Sequence, residues 1–141
     1  MRPINLVTIV DDDDVYSFVE RKIIEETNLS EKIKIFSNGL DALSYIKLNS
    51  HNAPCLPEII LLDLNMPIMD GFQFLEEFAK IKAELDKKIN IFVVSSSVSQ
   101  VEIDKINAIN DVSHFIIKPI TKEIFEKMVE ALTEKTNSVS T

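Results

Sequence analysis

The sequence predicts an α/β domain, a parallel sheet of five short strands with helices on both faces. Three observations predict it. Five brief apolar runs rich in Ile and Val recur along the 141 residues, and near-continuous apolar runs are what strands buried on both faces require. Segments with helical spacing of apolar residues fill the gaps. Each run ends in a polar residue, where open α/β sheets bind their ligands.

The strand runs are residues 4–10 (INLVTIV), 33–36 (IKIF), 59–62 (IILL), 89–94 (INIFVV) and 114–117 (HFII). After the first, Val15, Phe18, Val19 and Ile23 share one helix face. Ala42, Leu43 and Ile46 follow the second, and Phe74, Phe78, Ile81 and Leu85 the third. Ile103, Ile106 and Ile109 follow the fourth; Ile124, Phe125, Met128, Val129 and Leu132 form the clearest stripe after the fifth. Strands alternating with helices imply parallel pairing. The two glycines, Gly39 and Gly71, each precede a predicted helix, where a turn calls for positive φ. Residues 49–58 (NSHNAPCLPE) read as a polar loop. One domain is expected over residues 1–135, with 136–141 a short polar tail that frays.

Composition narrows the function. A formal charge of -8 argues against nucleic-acid binding, because phosphate backbones need a basic face. A single cysteine, Cys55, excludes an internal disulfide and fits a reducing compartment. The N-terminal apolar run is too short for a signal peptide or a membrane span and soon meets acids. The expectation is a soluble cytoplasmic protein with neither a nucleic-acid nor a membrane partner.

The strand ends carry the chemistry. Asp11 and Asp12, Ser37, Asp63, Ser95 and Lys118 follow or close the five runs. The stretch VTIVDDDD (7–14) brings four carboxylates to the junction of a strand and a helix. Asp13 and Asp14 read as a helix start, with Asp14 as N-cap, and Asp70 as a turn residue. Asp11, Asp12 and Asp63 converge if the first and third strands are neighbours. Three such acids ionise together only at a large electrostatic cost, which a hard divalent cation removes. All-oxygen ligands without His or Cys favour Mg²⁺, Mn²⁺ or Ca²⁺ over zinc. A cation and a lysine around a carboxylate suit phosphoryl chemistry.

The segments VDDD (10–13), LLDLNMPIMDG (61–71), VVSSS (93–97) and FIIKP (115–119), taken jointly in type, order and spacing, resemble the response-regulator receiver domain of two-component signalling (CheY-like). The likeness covers residues 4–132. It implies the sheet order 2-1-3-4-5. It also implies that Asp63 is the phosphoacceptor, that Asp12 binds the metal directly and Asp11 beside it, and that the Asn65 backbone carbonyl is a further ligand. The metal would be Mg²⁺, with Mn²⁺ as a substitute. By the same resemblance Ser95 and Lys118 pair with the phosphoryl oxygens, Pro119 follows a cis peptide bond, and Phe115 is the aromatic switch.

Three positions depart from the family pattern. Phe115 replaces the frequent tyrosine and lacks its hydroxyl, and Ser95 replaces the commoner threonine. Asp111 stands where many receivers have glycine. Asn65 and Ser97 lie at positions that tune autodephosphorylation in the family.

The implied function is a stand-alone response regulator, not an enzyme acting on other substrates. Its phosphoryl donor would be a sensor histidine kinase or a histidine phosphotransfer protein. A downstream protein would read the face formed by the fourth helix, fifth strand and fifth helix. Two alternatives stand beside this reading. One is a receiver that binds its partner without phosphorylation. The other is a metal-dependent phosphatase, disfavoured because position 65 is Asn rather than a second acid.

Overall fold

The computed structural model describes residues 3–96 and 99–140, with side chains as far as residue 132. The strands are β1 (Ile4–Val10), β2 (Ser30–Phe36), β3 (Ile59–Leu62), β4 (Asn90–Ser95) and β5 (Val112–Ile117). Between and after them come α1 (Asp14–Thr27), α2 (Gly39–Leu48), α3 (Gly71–Ile81), α4 (Gln100–Asn107) and α5 (Lys122–Ser140). All pairings are parallel, in the order β2-β1-β3-β4-β5. The chain reverses direction across the sheet between β1 and β3, which opens a crevice above their carboxyl ends. In register, Val10 faces Leu62, so the residues that follow each of them emerge side by side.

The continuous apolar strands hide a period of two. Ile59 and Leu61 join Ile24 of α1 and Phe125, Met128 and Val129 of α5 in one core layer. Ile60 and Leu62 join Ala42, Leu43 and Ile46 of α2 and Phe74, Leu75 and Phe78 of α3 in the other. Ile106 of α4 packs on Leu64 and Val93. Among the described residues, no helix is long and apolar enough to cross a membrane.

Several expectations need correction. In α1 the apolar face read from the sequence points outward: Val15, Phe18 and Val19 are 75%, 60% and 44% exposed. The buried positions are Ser17, Glu20 and Ile24, with Tyr16 and Ile23 packed beside them. The N-cap of α1 is Asp13, which accepts the Tyr16 N–H at 2.9 Å. β2 starts at Ser30 and not at residue 33; it is an edge strand, so exposed Glu31 and Lys32 are tolerated and guard the open side. α3 ends at Ile81, leaving Leu85 beyond a 3-10 turn, and Ile109 lies past the end of α4. Residues 136–140 continue the α5 backbone; no Gly or Pro interrupts it.

Neither glycine has positive φ, and Asp111 has an ordinary backbone. The glycines serve close approach instead. A Cβ at Gly71 would lie 2.6 Å from the Asp63 carbonyl oxygen, and one at Gly39 would lie 2.9 Å from the Met69 carbonyl oxygen. The Gly71 N–H donates to the Leu64 carbonyl at 2.9 Å, and Asp70 caps α3 through a reciprocal capping box with Gln73. The segment after Asp63 is thus folded back on itself. At its tip Ile68 has φ 69°, and the Met69 N–H donates to the Pro67 carbonyl at 2.7 Å. That is a γ-turn built on a β-branched residue, a costly conformation.

Candidate functional site

Asp11 and Asp63 are placed by the sheet itself. The Asp11 N–H donates to the Phe36 carbonyl at 3.0 Å and the Asp63 N–H to the Val10 carbonyl at 2.9 Å. Both residues are buried, while Asp12 is exposed at the mouth of the crevice. One carboxylate oxygen from each of Asp11, Asp12 and Asp63 lies within 4.8 Å of the others. The three acids, read from the ends of two strands, therefore share one pocket.

Lys118, the residue after β5, reaches into that pocket. Its Nζ lies 2.8 Å from Asp11 Oδ2 and 3.8 Å from Asp63 Oδ2. The other Asp11 oxygen accepts the Asp13 N–H at 2.9 Å. Burial works against the Lys118 ammonium, but the hydrogen bond and charge of Asp11, with Asp63 behind, hold its pKa above the usual lysine range. Asp63 moves the opposite way. Burial first, and then the Asp11 charge, push its carboxyl up to about 6, against the pull of Lys118 and the N–H groups of Asn65 and Leu64. One ammonium does not offset three carboxylates, so the pocket keeps an excess of negative charge.

Ser95, Asn65, Phe115 and Pro119 lie on or just beyond β3, β4 and β5. Ser95 closes β4, fully buried, and its hydroxyl has no hydrogen-bond partner among the described residues. The Lys118 N–H donates to the Ser95 carbonyl at 3.0 Å, which ties the two strand ends together. Asn65 is exposed, two residues past Asp63. Phe115 is half-buried and packs against the layer of Leu64, Val93 and Ile106. The Lys118–Pro119 peptide bond is cis. Ser97 lies outside the described residues.

The donor set suits a hard divalent cation: it is all oxygen, over-supplied with negative charge and open at Asp12. The Ser95 hydroxyl adds a hydrogen-bond donor with no partner among the described residues. Buried polar atoms of this kind call for an explanation.

Two residues here escape the sequence reading. Tyr16 lies under Lys118, its ring centroid 4.3 Å from Nζ. Its hydroxyl accepts the Ile120 N–H at 3.1 Å and is hydrogen-bonded to Glu20. Glu20 is 1% exposed; burial raises its carboxyl to about 7, against the hydrogen bond from Tyr16. The signal available in the sequence was an aromatic phenol and an acid four residues apart, which fall on one helix face.

The family model described as response regulator receiver domain matches residues 7–130. The Methanothrix harundinacea protein named "Probable methanogenesis regulatory protein FilR2" is 26% identical over 92% of this chain and 81% of its own length. Response regulator Rcp1 of Synechocystis sp. is 30% identical over 67% of this chain and 64% of its own. A solved Mn²⁺-bound form of response regulator Rcp1 shares the fold, with TM-score 0.69 at 23% identity over 90% of each chain. The two-component response regulator from Cytophaga hutchinsonii superposes with TM-score 0.85 at 26% identity, covering 94% of this chain and 99% of that one.

Proposed function

The chain belongs to the response regulator receiver domain family, and on that premise we propose that Asp63 accepts a phosphoryl group from a phosphohistidine. The donor is a sensor histidine kinase or a histidine phosphotransfer protein. An Asp63 carboxylate oxygen attacks phosphorus. A P–O bond forms, the P–N bond breaks, and its electron pair returns to the imidazole nitrogen, which takes up a proton.

Asp12, Asp63 and the Asn65 carbonyl would hold Mg²⁺ or Mn²⁺, with Asp11 alongside; the metal supplies positive charge against the phosphoryl oxygens. Lys118, poised between Asp11 and Asp63, offers its ammonium to the same oxygens. Ser95 brings its unpartnered hydroxyl to the phosphoryl group. Phe115 then moves with it and alters the face of α4, β5 and α5, which a downstream protein reads. Phosphorylation shifts this equilibrium only through its differential interaction with the two states. The reading places the chain in the cytoplasm as a signalling protein rather than a classical enzyme.

The observation that carries the proposal is the convergence of Asp11, Asp12 and Asp63 on one pocket beside Lys118. The test is incubation with acetyl phosphate and Mg²⁺, followed by intact-mass analysis. Wild type should gain one phosphoryl group and Asp63→Ala none. No gain in wild type, or an equal gain in the variant, sinks the proposal.

A further inference from the structure

Tyr16 makes two contacts that straddle Pro119. The Lys118 ammonium rests 4.3 Å from the ring centroid on one side, and the Ile120 N–H donates to the hydroxyl at 3.1 Å on the other. One side chain of α1 thus holds both ends of the segment that carries the lysine. With its lone pair engaged by Ile120, the phenol is left to donate its own proton, and Glu20 is the partner, one helical turn along α1.

Glu20 has no evident structural reason to be there. It is 1% exposed, and Ile9, Ile24, Ile120 and Phe125 make that layer apolar. One of its carboxylate oxygens has no hydrogen-bond partner among the described residues. Burying a carboxyl costs free energy that an aliphatic residue would not. Its return is the fixed orientation of the Tyr16 hydroxyl.

We propose that Tyr16, anchored by Glu20, is the positioning residue of Lys118. Lys118 has to leave Asp11, at 2.8 Å, for a phosphoryl group arriving at Asp63. Throughout that swing both carboxylates change their hold on the ammonium. The ring face is an attraction independent of either. It keeps the ammonium over the pocket and out of solvent while Ile120 is held in place. This inference rests on the phosphoacceptor reading of Asp63 for its consequence, but the hold itself does not depend on it.

The test compares full-length wild type with Tyr16→Leu, Tyr16→Phe, Glu20→Gln and Glu20→Leu. Two quantities are read: the rate of acetyl-phosphate labelling at saturating Mg²⁺, and the NMR shifts of the Lys118 ε-methylene protons without any phosphodonor. Wild type should show these protons shifted upfield by the Tyr16 ring, and Tyr16→Leu should lose that shift. Labelling should slow about tenfold in Tyr16→Leu, while the Mg²⁺ dissociation constant from calorimetry stays within about twofold, because Tyr16 lies off the carboxylates. Tyr16→Phe keeps the ring and should keep the upfield shift, with labelling slowed about threefold. Glu20→Gln, which still accepts from the phenol, should match wild type, and Glu20→Leu should match Tyr16→Phe. Identical Lys118 shifts in wild type and Tyr16→Leu overturn the hold. Equal labelling rates in those two overturn its role in transfer. A wild type that is never labelled overturns the reading of Asp63 instead, and the NMR comparison still decides the hold.

Discussion

The Lys118 ammonium is bound to Asp11, at 2.8 Å, and stands off from Asp63, at 3.8 Å. The lysine is therefore the internal counter-ion of the acidic pocket. Removing it leaves buried carboxylates without compensation, a costly change when one partner alone is lost. Lys118→Ala should lose about 3 kcal/mol of stability in chelator, and millimolar Mg²⁺ should restore most of it. Urea denaturation with and without Mg²⁺ checks this. A loss indifferent to Mg²⁺ would mean that the lysine acts through packing alone.

Metal affinity should depend on pH through Asp63. Its carboxyl sits at about 6 in the folded chain, above the ordinary 3.8, because of burial and the Asp11 charge. Protons and Mg²⁺ compete for that carboxylate. Affinity should be flat above pH 6 and weaken about tenfold per pH unit below it, over the range where Asp63 titrates. Calorimetric titration between about pH 5 and about pH 8 gives the profile.

Glu20→Gln should stabilise the protein at neutral pH and above. The folded carboxyl lies at about 7 against an ordinary 4.5, with burial the leading cause. The folded state therefore binds the proton more tightly than the unfolded state, and stability falls as pH rises through that window. The full penalty, above pH 7, is on the order of 3 kcal/mol. The variant should gain most of it at about pH 8 and almost nothing at about pH 4. Thermal melts across that range decide it; a gain independent of pH contradicts the assignment.

Gly71→Ala should be strongly destabilising. The added methyl would meet the Asp63 carbonyl at 2.6 Å and Leu64 Cα at 2.7 Å, both backbone atoms that cannot step aside. A loss of about 2–3 kcal/mol is expected, with weakened Mg²⁺ binding because the residue displaced is Asp63. A variant of unchanged melting temperature and metal affinity would contradict the close packing.

Ile68→Gly should be neutral or stabilising, unlike most glycine substitutions. Ile68 is 74% exposed with φ 69°, so little packing is lost and backbone strain is relieved, by about 1 kcal/mol. A higher urea midpoint in the variant is the expected result; a fall of similar size would mean that the isoleucine side chain holds the turn.

Much of this could be read from the chain in one dimension. β1 and β3 coincide with the apolar runs at 4–10 and 59–62 because a strand buried on both faces has to be apolar along its whole length. It then breaks to a polar residue where it meets water, and so Asp11, Asp63 and Lys118 were visible at their strand ends. β2 was harder, because an edge strand carries Glu31 and Lys32 in its first half and obeys no such rule. The backbone crowding at Gly71 left no trace in local sequence either; its partners Asp63 and Leu64 come close only through the fold of the intervening loop.

The clearest division falls on α1. From its sequence alone the helix was certain, but not the side it buries. Val15, Phe18 and Val19 form a plausible inward stripe, yet the fold turns them to solvent and takes Ser17, Glu20 and Ile24 inside. Composition and spacing settle which segments are strands and helices, and where their polar ends lie, because those depend on near neighbours along the chain. The rotation of α1, and with it the meeting of Tyr16 and Lys118 across 102 positions (118 minus 16), depends on how the Asp13 cap and the end of β1 seat the helix against the sheet. That is a contact between distant elements, and only the tertiary structure decides it.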